Sequence, residues 1–316
     1  MKYTRLVALA TVGATLGFLP PHAAPHAELF APNVISTRDY ERDGTFSPDG
    51  KTFYFTKRTI WPYFSAICVS HLQGGRWSEP EVAPFSGQYP DATPSISPDG
   101  SRIYFASRRP INGAPSQFYN LWVAERNARS DGWSEPHRLP DAINGKEGSI
   151  APVETRDGSL YFVSGEAGHV VVAKKAGDGW SAPTIAGDSN ATGTVELSAY
   201  VDPAQRFMIV TVIGRDDALH SAEGVYPRAD LYARTRVGDG WSPLRHLDAP
   251  INSGADELSP FVSPDGRYLY FTSERGVFTE HGEPFDYAKL EGALHATGNG
   301  LGDIYRVDFQ LTGIAR

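Results

Sequence analysis

The chain has 316 residues, of which 12% are aromatic and 32 are glycine, and a formal net charge of −8. Its acidity argues against a nucleic-acid partner, because affinity for the phosphate backbone rests on Lys and Arg contacts. The glycine and aromatic content suits a large all-β domain with many turns. The single cysteine, Cys68, excludes an internal disulfide and lies in a strand-like run, Ala66-Ile67-Cys68-Val69, where it reads as a small core residue.

The first element is a leader. Lys2 and Arg5 precede an apolar run over residues 6–19, followed by Pro20-Pro21-His22-Ala23-Ala24. This pattern predicts a secretory signal peptide over residues 1–27, cut between Ala23 and Ala27. The run is short for a membrane span, and no later segment is apolar enough for one. The expected mature protein is a monomer of one domain, residues 28–316, that is periplasmic or secreted and carries no cofactor.

The rest of the chain is a repeat. Ser-Pro-Asp-Gly occurs at Ser47–Gly50, Ser97–Gly100 and Ser263–Gly266, with worn copies at Arg156-Asp157-Gly158 and Asp202-Pro203-Ala204-Gln205. Successive copies are 50, 58, 47 and 61 residues apart, which indicates a repeat architecture. Pro presets the first dihedral of a tight turn, Asp bonds its own nearby backbone, and Gly takes the left-handed position. A β-rich run follows each copy, as in Phe53-Tyr54-Phe55 and Leu269-Tyr270-Phe271. A Trp-Ser pair recurs downstream at Trp77, Trp133, Trp180 and Trp241, three times after an Asp-Gly hairpin signal.

Each repeat therefore holds four strand candidates. In the second they are a (residues 94–97), b (102–107), c (121–125) and d (133–139). Radially repeated four-stranded sheets make a β-propeller. Five blades are expected, since a sixth would need a repeat that the sequence does not contain. The fifth repeat ends after strand c. The segment Glu28-Leu29-Phe30-Ala31-Pro32 matches the d-strand segment Pro80-Glu81-Val82-Ala83-Pro84, so the N-terminal strand is expected to complete the last blade and close the ring.

The series Glu257-Leu258-Ser259-Pro260-Phe261-Val262-Ser263-Pro264-Asp265-Gly266, Leu269-Tyr270-Phe271-Thr272-Ser273 and Gly302-Asp303-Ile304-Tyr305 resembles the PD40, or TolB-like, β-propeller repeat. The resemblance covers essentially the whole mature chain. It implies an exported envelope protein acting in protein or glycan interactions. The fourth repeat departs from the pattern, with Ala204-Gln205 where Asp-Gly is expected.

Strand directions sort the loops. The short a–b and c–d turns fall at one end, and the variable b–c loops (residues 108–120, 214–230 and 274–303) fall at the other, where binding is expected. Strand a lines the channel of a propeller, so Glu41, Asp91, Glu196 and Glu257, at aligned positions, are expected to ring one mouth. The third repeat has Ser149 there, with Glu147 nearby. These acids suit a cation, a sugar or a basic peptide, or else they are repeat-borne structural acids. Arg58, Arg108 and Arg275 end strands b, and Asn120, Asp230 and Asp303 open strands c on the same face. Arg108–Asn120 and Arg275–Asp303 either tie down their own loops or hold a carboxylate or sugar hydroxyls. His281 and His295, with Glu280, Glu283 and Asp286, match no metal-ligand spacing and read as solvated loop residues. The recurring Trp reads as blade packing.

No HExxH, GxSxG, P-loop or GxGxxG is present. The sequence thus points to a non-catalytic exported propeller that binds a protein, peptide or envelope glycan on the b–c face. The alternative is a glycan-directed hydrolase using two of the mouth carboxylates, whose separation would set its stereochemistry.

Overall fold

A computed structural model describes residues 26–61, 63–126, 132–177, 179–187, 193–219, 229–278 and 284–315. Five antiparallel sheets form a ring. The first blade is built from Tyr40–Phe46, Thr52–Arg58, Ser65–Gln73 and Glu81–Val82, and the second from Asp91–Ile96, Arg102–Ser107, Asn120–Glu125 and His137–Arg138. Ser149–Glu154, Leu160–Ser164, His169–Ala173 and Thr184–Ile185 make the third. The fourth contains Val195–Val201, Phe207–Ile213, Ala229–Val237 and Arg245–His246. The fifth has Glu257–Val262, Tyr268–Ser273 and Asp303–Asp308, and its outer strand is Glu28–Leu29 from the other end of the chain. Glu28 pairs with Arg306 and Leu29 with Tyr305, so the ring closes as expected.

The d strands are shorter than their sequence runs. In the second blade only His137–Arg138 joins the ladder, while Trp133 forms an isolated bridge to Arg126. The recurring Trp sits on a separate short stretch that pairs with the far end of its own strand c, and its ring reaches over to the preceding blade. Trp133 donates to the Tyr54 hydroxyl at 2.9 Å, Trp241 meets Tyr161 edge-on, and Trp77 meets Phe30 of the closing strand. Five apolar clusters fill the spaces between neighbouring blades, each drawing on strands of both.

The turns follow their chemistry. Ser47 Oγ donates to Asp49 Oδ1 at 2.6 Å, and that oxygen also accepts the Lys51 N–H at 3.0 Å, while Gly50 takes φ +70°. In the fourth repeat Gln205 holds the same left-handed position at φ +56°, and Asp202 pairs with Arg206 at 2.8 Å.

Every inner strand carries a bulge, at the same place after Arg42, Ala92, Ile150 and Leu258 and one position earlier, after Glu196, in the fourth blade. Asp43, Thr93, Ala151 and Ser259 stand there with φ between +50° and +53°. Each of these turns its N–H toward a threonine or serine hydroxyl of the preceding blade. Asp43 reaches Thr272 at 3.3 Å, Thr93 reaches Thr56 at 3.1 Å, Ala151 reaches Thr93 at 3.2 Å, and Ser259 reaches Thr211 at 3.1 Å. A bulge releases one backbone donor from its own ladder, and here that donor stitches blades together around the axis. Next in the first blade comes Gly44, where a Cβ would lie 2.4 Å from the Phe261 ring.

Candidate functional site

The aligned acids begin the inner strands at the b–c end, and all are buried. Each is saturated by its surroundings. Glu41 accepts from the Thr37 N–H at 2.9 Å and the Thr37 hydroxyl at 2.7 Å, and pairs with Lys57 at 3.0 Å. Glu257 repeats this with the Ser253 N–H (2.8 Å), the Ser253 and Ser273 hydroxyls (2.6 and 2.7 Å) and Arg275 (3.0 Å). Asp91 takes the Ser86 hydroxyl at 2.7 Å and Arg109 at 2.8 Å. In these three blades the carboxylate staples the incoming d–a loop to the end of strand b. Glu196 instead accepts the Val170 N–H of the third blade at 2.7 Å and Arg234 of its own at 3.0 Å. Among the described residues no two of the acids share a partner, and none of the four lines either cavity described below. Ser149 donates to the Ile143 carbonyl at 2.9 Å, and Glu147 is exposed.

The arginines and strand-c residues divide differently from the sequence pairing. Arg109, not Arg108, serves Asp91; Arg108 is exposed and lies over the Tyr119 ring. Asn120 accepts from Arg138 at 2.8 Å. Arg275 serves Glu257 and the carbonyls of Pro250 and Ile251 rather than Asp303. Asp303 accepts only the Gly298 N–H at 2.9 Å, and its other oxygen has no partner. Burial, with repulsion from Glu41, pushes its carboxyl up to about 7. Asp230 accepts the Leu219 N–H and His246 Nε2, both at 2.7 Å, and burial raises it too. Burial likewise raises Asp91 and Glu257 despite their arginines. Arg58 lies over the Tyr40 ring at 4.0 Å.

Sequence reasoning missed Lys57, Arg109 and Arg234 as counterions. A signal was present: Ser107-x-Arg109 and Ser273-x-Arg275 end strands b, and a Ser or Thr stands four or five residues before each of Glu41, Asp91 and Glu257. Glu280, His281 and Glu283, like residues 1–25, lie outside the described residues. Among the described residues no group of three His, Cys, Asp or Glu side chains is placed to hold a metal.

Two cavities stand out among the described residues. One, about 780 Å³, is a groove at the b–c end between the first and fifth blades. Its first-blade side is the b–c loop with Ile60, Trp61, Tyr63 and Phe64; its fifth-blade side includes Leu294 and His295, at the end of the helix Tyr287–Leu294. Trp61 and Tyr63 are 72% and 84% exposed. Arg38 and Arg58 line the same groove. Cys68 lies at its inner wall, its thiol pushed up to about 11 by burial, which leaves it a protonated, weak nucleophile. The other cavity, about 500 Å³, is the channel itself, and its rim is made of the a–b turns at the opposite end.

No family model and no curated protein matches the chain. Solved structures do. A putative TolB from Agrobacterium tumefaciens is 16% identical with a TM-score of 0.45, over 78% of this chain and 73% of that one. An α-L-arabinofuranosidase from Podospora anserina, solved in complex with cellotriose, is 13% identical with a TM-score of 0.50, over 90% and 96%. A periplasmic gluconolactonase from Pseudomonas aeruginosa is 14% identical with a TM-score of 0.43, over 84% and 72%. At 13% identity the likeness to the arabinofuranosidase is one of fold alone.

Proposed function

We propose that this chain is an exported, non-catalytic propeller that binds a segment of an envelope protein in the groove between its first and fifth blades. One observation carries the reading: Trp61 and Tyr63 stand well out in solvent beside Ile60 and Phe64, on the rim of a groove that also offers Arg38 and Arg58. Exposed Trp, Tyr and Arg gathered at one concavity are the composition of a binding hot spot. Burying one such ring contributes about 1.5–3 kcal/mol. The arginines suit a partner segment that carries a carboxylate near its apolar anchor. Glycan hydrolysis has less support, because Glu41, Asp91, Glu196 and Glu257 are each held by a cation and by hydrogen bonds, and Asp303 lines neither cavity.

The test compares the native protein with a Trp61→Ala/Tyr63→Ala variant, both immobilised against envelope extract. A partner retained by the first and lost by the second, with unchanged thermal unfolding of the bait, supports the reading. Equal retention by both defeats it. Release of reducing ends from envelope glycan that falls with Glu257→Gln would favour the hydrolase. Export is checked by N-terminal sequencing: the mature chain should begin between Ala24 and Glu28, and an intact Met1 on cytoplasmic protein would contradict it.

A further inference from the structure

We propose that the central channel is a binding site for a small, uncharged, polyhydroxylated ligand of mono- or disaccharide size, entered from the end that carries the Ser-Pro-Asp-Gly turns. This site is separate from the groove and does not depend on the reading given to it. The cavity of about 500 Å³ lies in the range of small-molecule sites. Its inner end lies at the level of the bulges, with Asp43, Thr93, Ala151, Ser198 and Ser259 among its lining residues.

Charge decides the ligand class. Asp43 is paired with Arg42 at 2.9 Å, Glu154 with Arg102 at 3.0 Å and Asp202 with Arg206 at 2.8 Å. Asp265 accepts from its own turn, the Ser263 hydroxyl at 2.6 Å and the Arg267 N–H at 2.9 Å. Three of the four lining carboxylates are therefore offset by an arginine, so the inner part of the channel has little net charge to reward an ion, and an ion entering it would lose its hydration. Hydroxyl donors are available. Thr45 and Thr93 each accept a neighbouring blade's N–H, from Ile96 and Ala151, both at 3.2 Å. Each keeps its own proton for a ligand oxygen, since a hydroxyl donates once and accepts twice. The half-buried Ser95 hydroxyl, also in the lining, makes no hydrogen bond among the described residues.

The walls between these donors are hydrocarbon. At the aligned position of each inner strand stand Gly44, Pro94, Pro152, Ala199 and Pro260, and the prolines offer no N–H. Alternating hydroxyl donors and flat apolar edges match the alternating hydroxyls and C–H faces of a sugar ring. The rim adds one departure from the repeat. Pro48, Pro98, Pro203 and Pro264 hold the first turn position in four blades, and Arg156 holds it in the third. Arg156 is exposed and makes no ion pair among the described residues, so its guanidinium is free to donate to the outer hydroxyls of a bound ligand.

Titration calorimetry with D-glucose, N-acetyl-D-glucosamine and cellobiose tests this, with D-glucuronate and D-glucosamine as charged counterparts. At least one neutral sugar should bind saturably at one site, and more tightly than either charged sugar. Ser95→Phe, which fills the channel, should weaken that binding by about tenfold or more, equivalent to at least about 1.4 kcal/mol. Arg156→Gln, a surface change with little effect on folding, should weaken it severalfold, and Trp61→Ala should leave it unchanged. Absence of saturable binding for all three neutral sugars, preference for a charged sugar, or binding that survives Ser95→Phe in a folded protein would each overturn the proposal. If Ser95→Phe fails to fold, undiminished binding by Arg156→Gln overturns it instead.

Discussion

At the scale of single residues, the acids that open the inner strands are the most informative side chains. An exposed carboxylate contributes little to stability, and changing one usually costs within about 0.5 kcal/mol. Glu257 is in the opposite position: it is fully buried and fills four bonds. Glu257→Ala leaves Arg275 without its counterion, and loss of one member of a buried pair costs about 3–5 kcal/mol. Glu257→Gln keeps the shape and part of the hydrogen bonding and should cost about half as much. Urea denaturation of the two variants checks this, and a loss under 0.5 kcal/mol for both would return Glu257 to the candidates for ligand contact. Asp303 gives a second prediction. Its folded-state carboxyl titrates at about 7 because it is buried, well above the ordinary aspartate value near 4. Between these two values the native state holds a proton that the unfolded chain releases. Stability should therefore fall as pH rises from about 4 to about 7 and be level above that, at up to about 1.4 kcal/mol per unit. Asp303→Asn should remove this part of the slope and be the more stable protein at pH 8. Identical pH profiles for the two proteins would refute the assignment.

At the scale of elements, the closing strand is only two residues in the ladder, Glu28 and Leu29, yet Phe30 follows it into the core between the first and last blades. Phe30 meets Phe46, Phe53, Trp77 and Tyr270 at centroid distances between 5.0 and 6.0 Å. The closure therefore rests more on one aromatic plug than on strand hydrogen bonds. Phe30→Ala should cost about 3–5 kcal/mol, and removal of residues 28–35 should cost more, since it also exposes the edge of the strand Asp303–Asp308. Thermal unfolding decides this, and an unchanged midpoint for the truncated chain would mean that the ring closes without that strand.

At the scale of the whole molecule, the five inter-blade clusters make each blade depend on two neighbours, and the bulge hydrogen bonds reinforce four of the five junctions. A closed ring has no terminal unit from which to fray. Phe162→Ala, between the second and third blades, and Phe271→Ala, between the fourth and fifth, should lower one shared transition by about 3–5 kcal/mol each. Near- and far-ultraviolet circular dichroism should report coincident unfolding in both variants. Separate transitions would show that the blades melt independently.

The repeat was legible in the sequence because its physics is local. Ser-Pro-Asp-Gly dictates a turn within four residues, the aromatic run after it dictates a strand, and five copies fix the blade count and the need for a borrowed strand. The acids at the heads of strands a were legible as a recurring set for the same reason. Their partners were not: Arg109 against Arg108, or Arg234 reaching Glu196 from strand c, is settled by which side chain the sheet twist delivers to the carboxylate. Nor did the sequence show where the open spaces lie. The channel's rim is made of the a–b turns of all five blades, and its inner end lies at the bulges, where four inner strands turn an N–H across to the neighbouring blade. The groove exists because a first-blade loop and a fifth-blade helix, more than 220 residues apart in the chain, meet where the ring closes. Both depend on contacts between residues distant in sequence, and only the tertiary structure decides those.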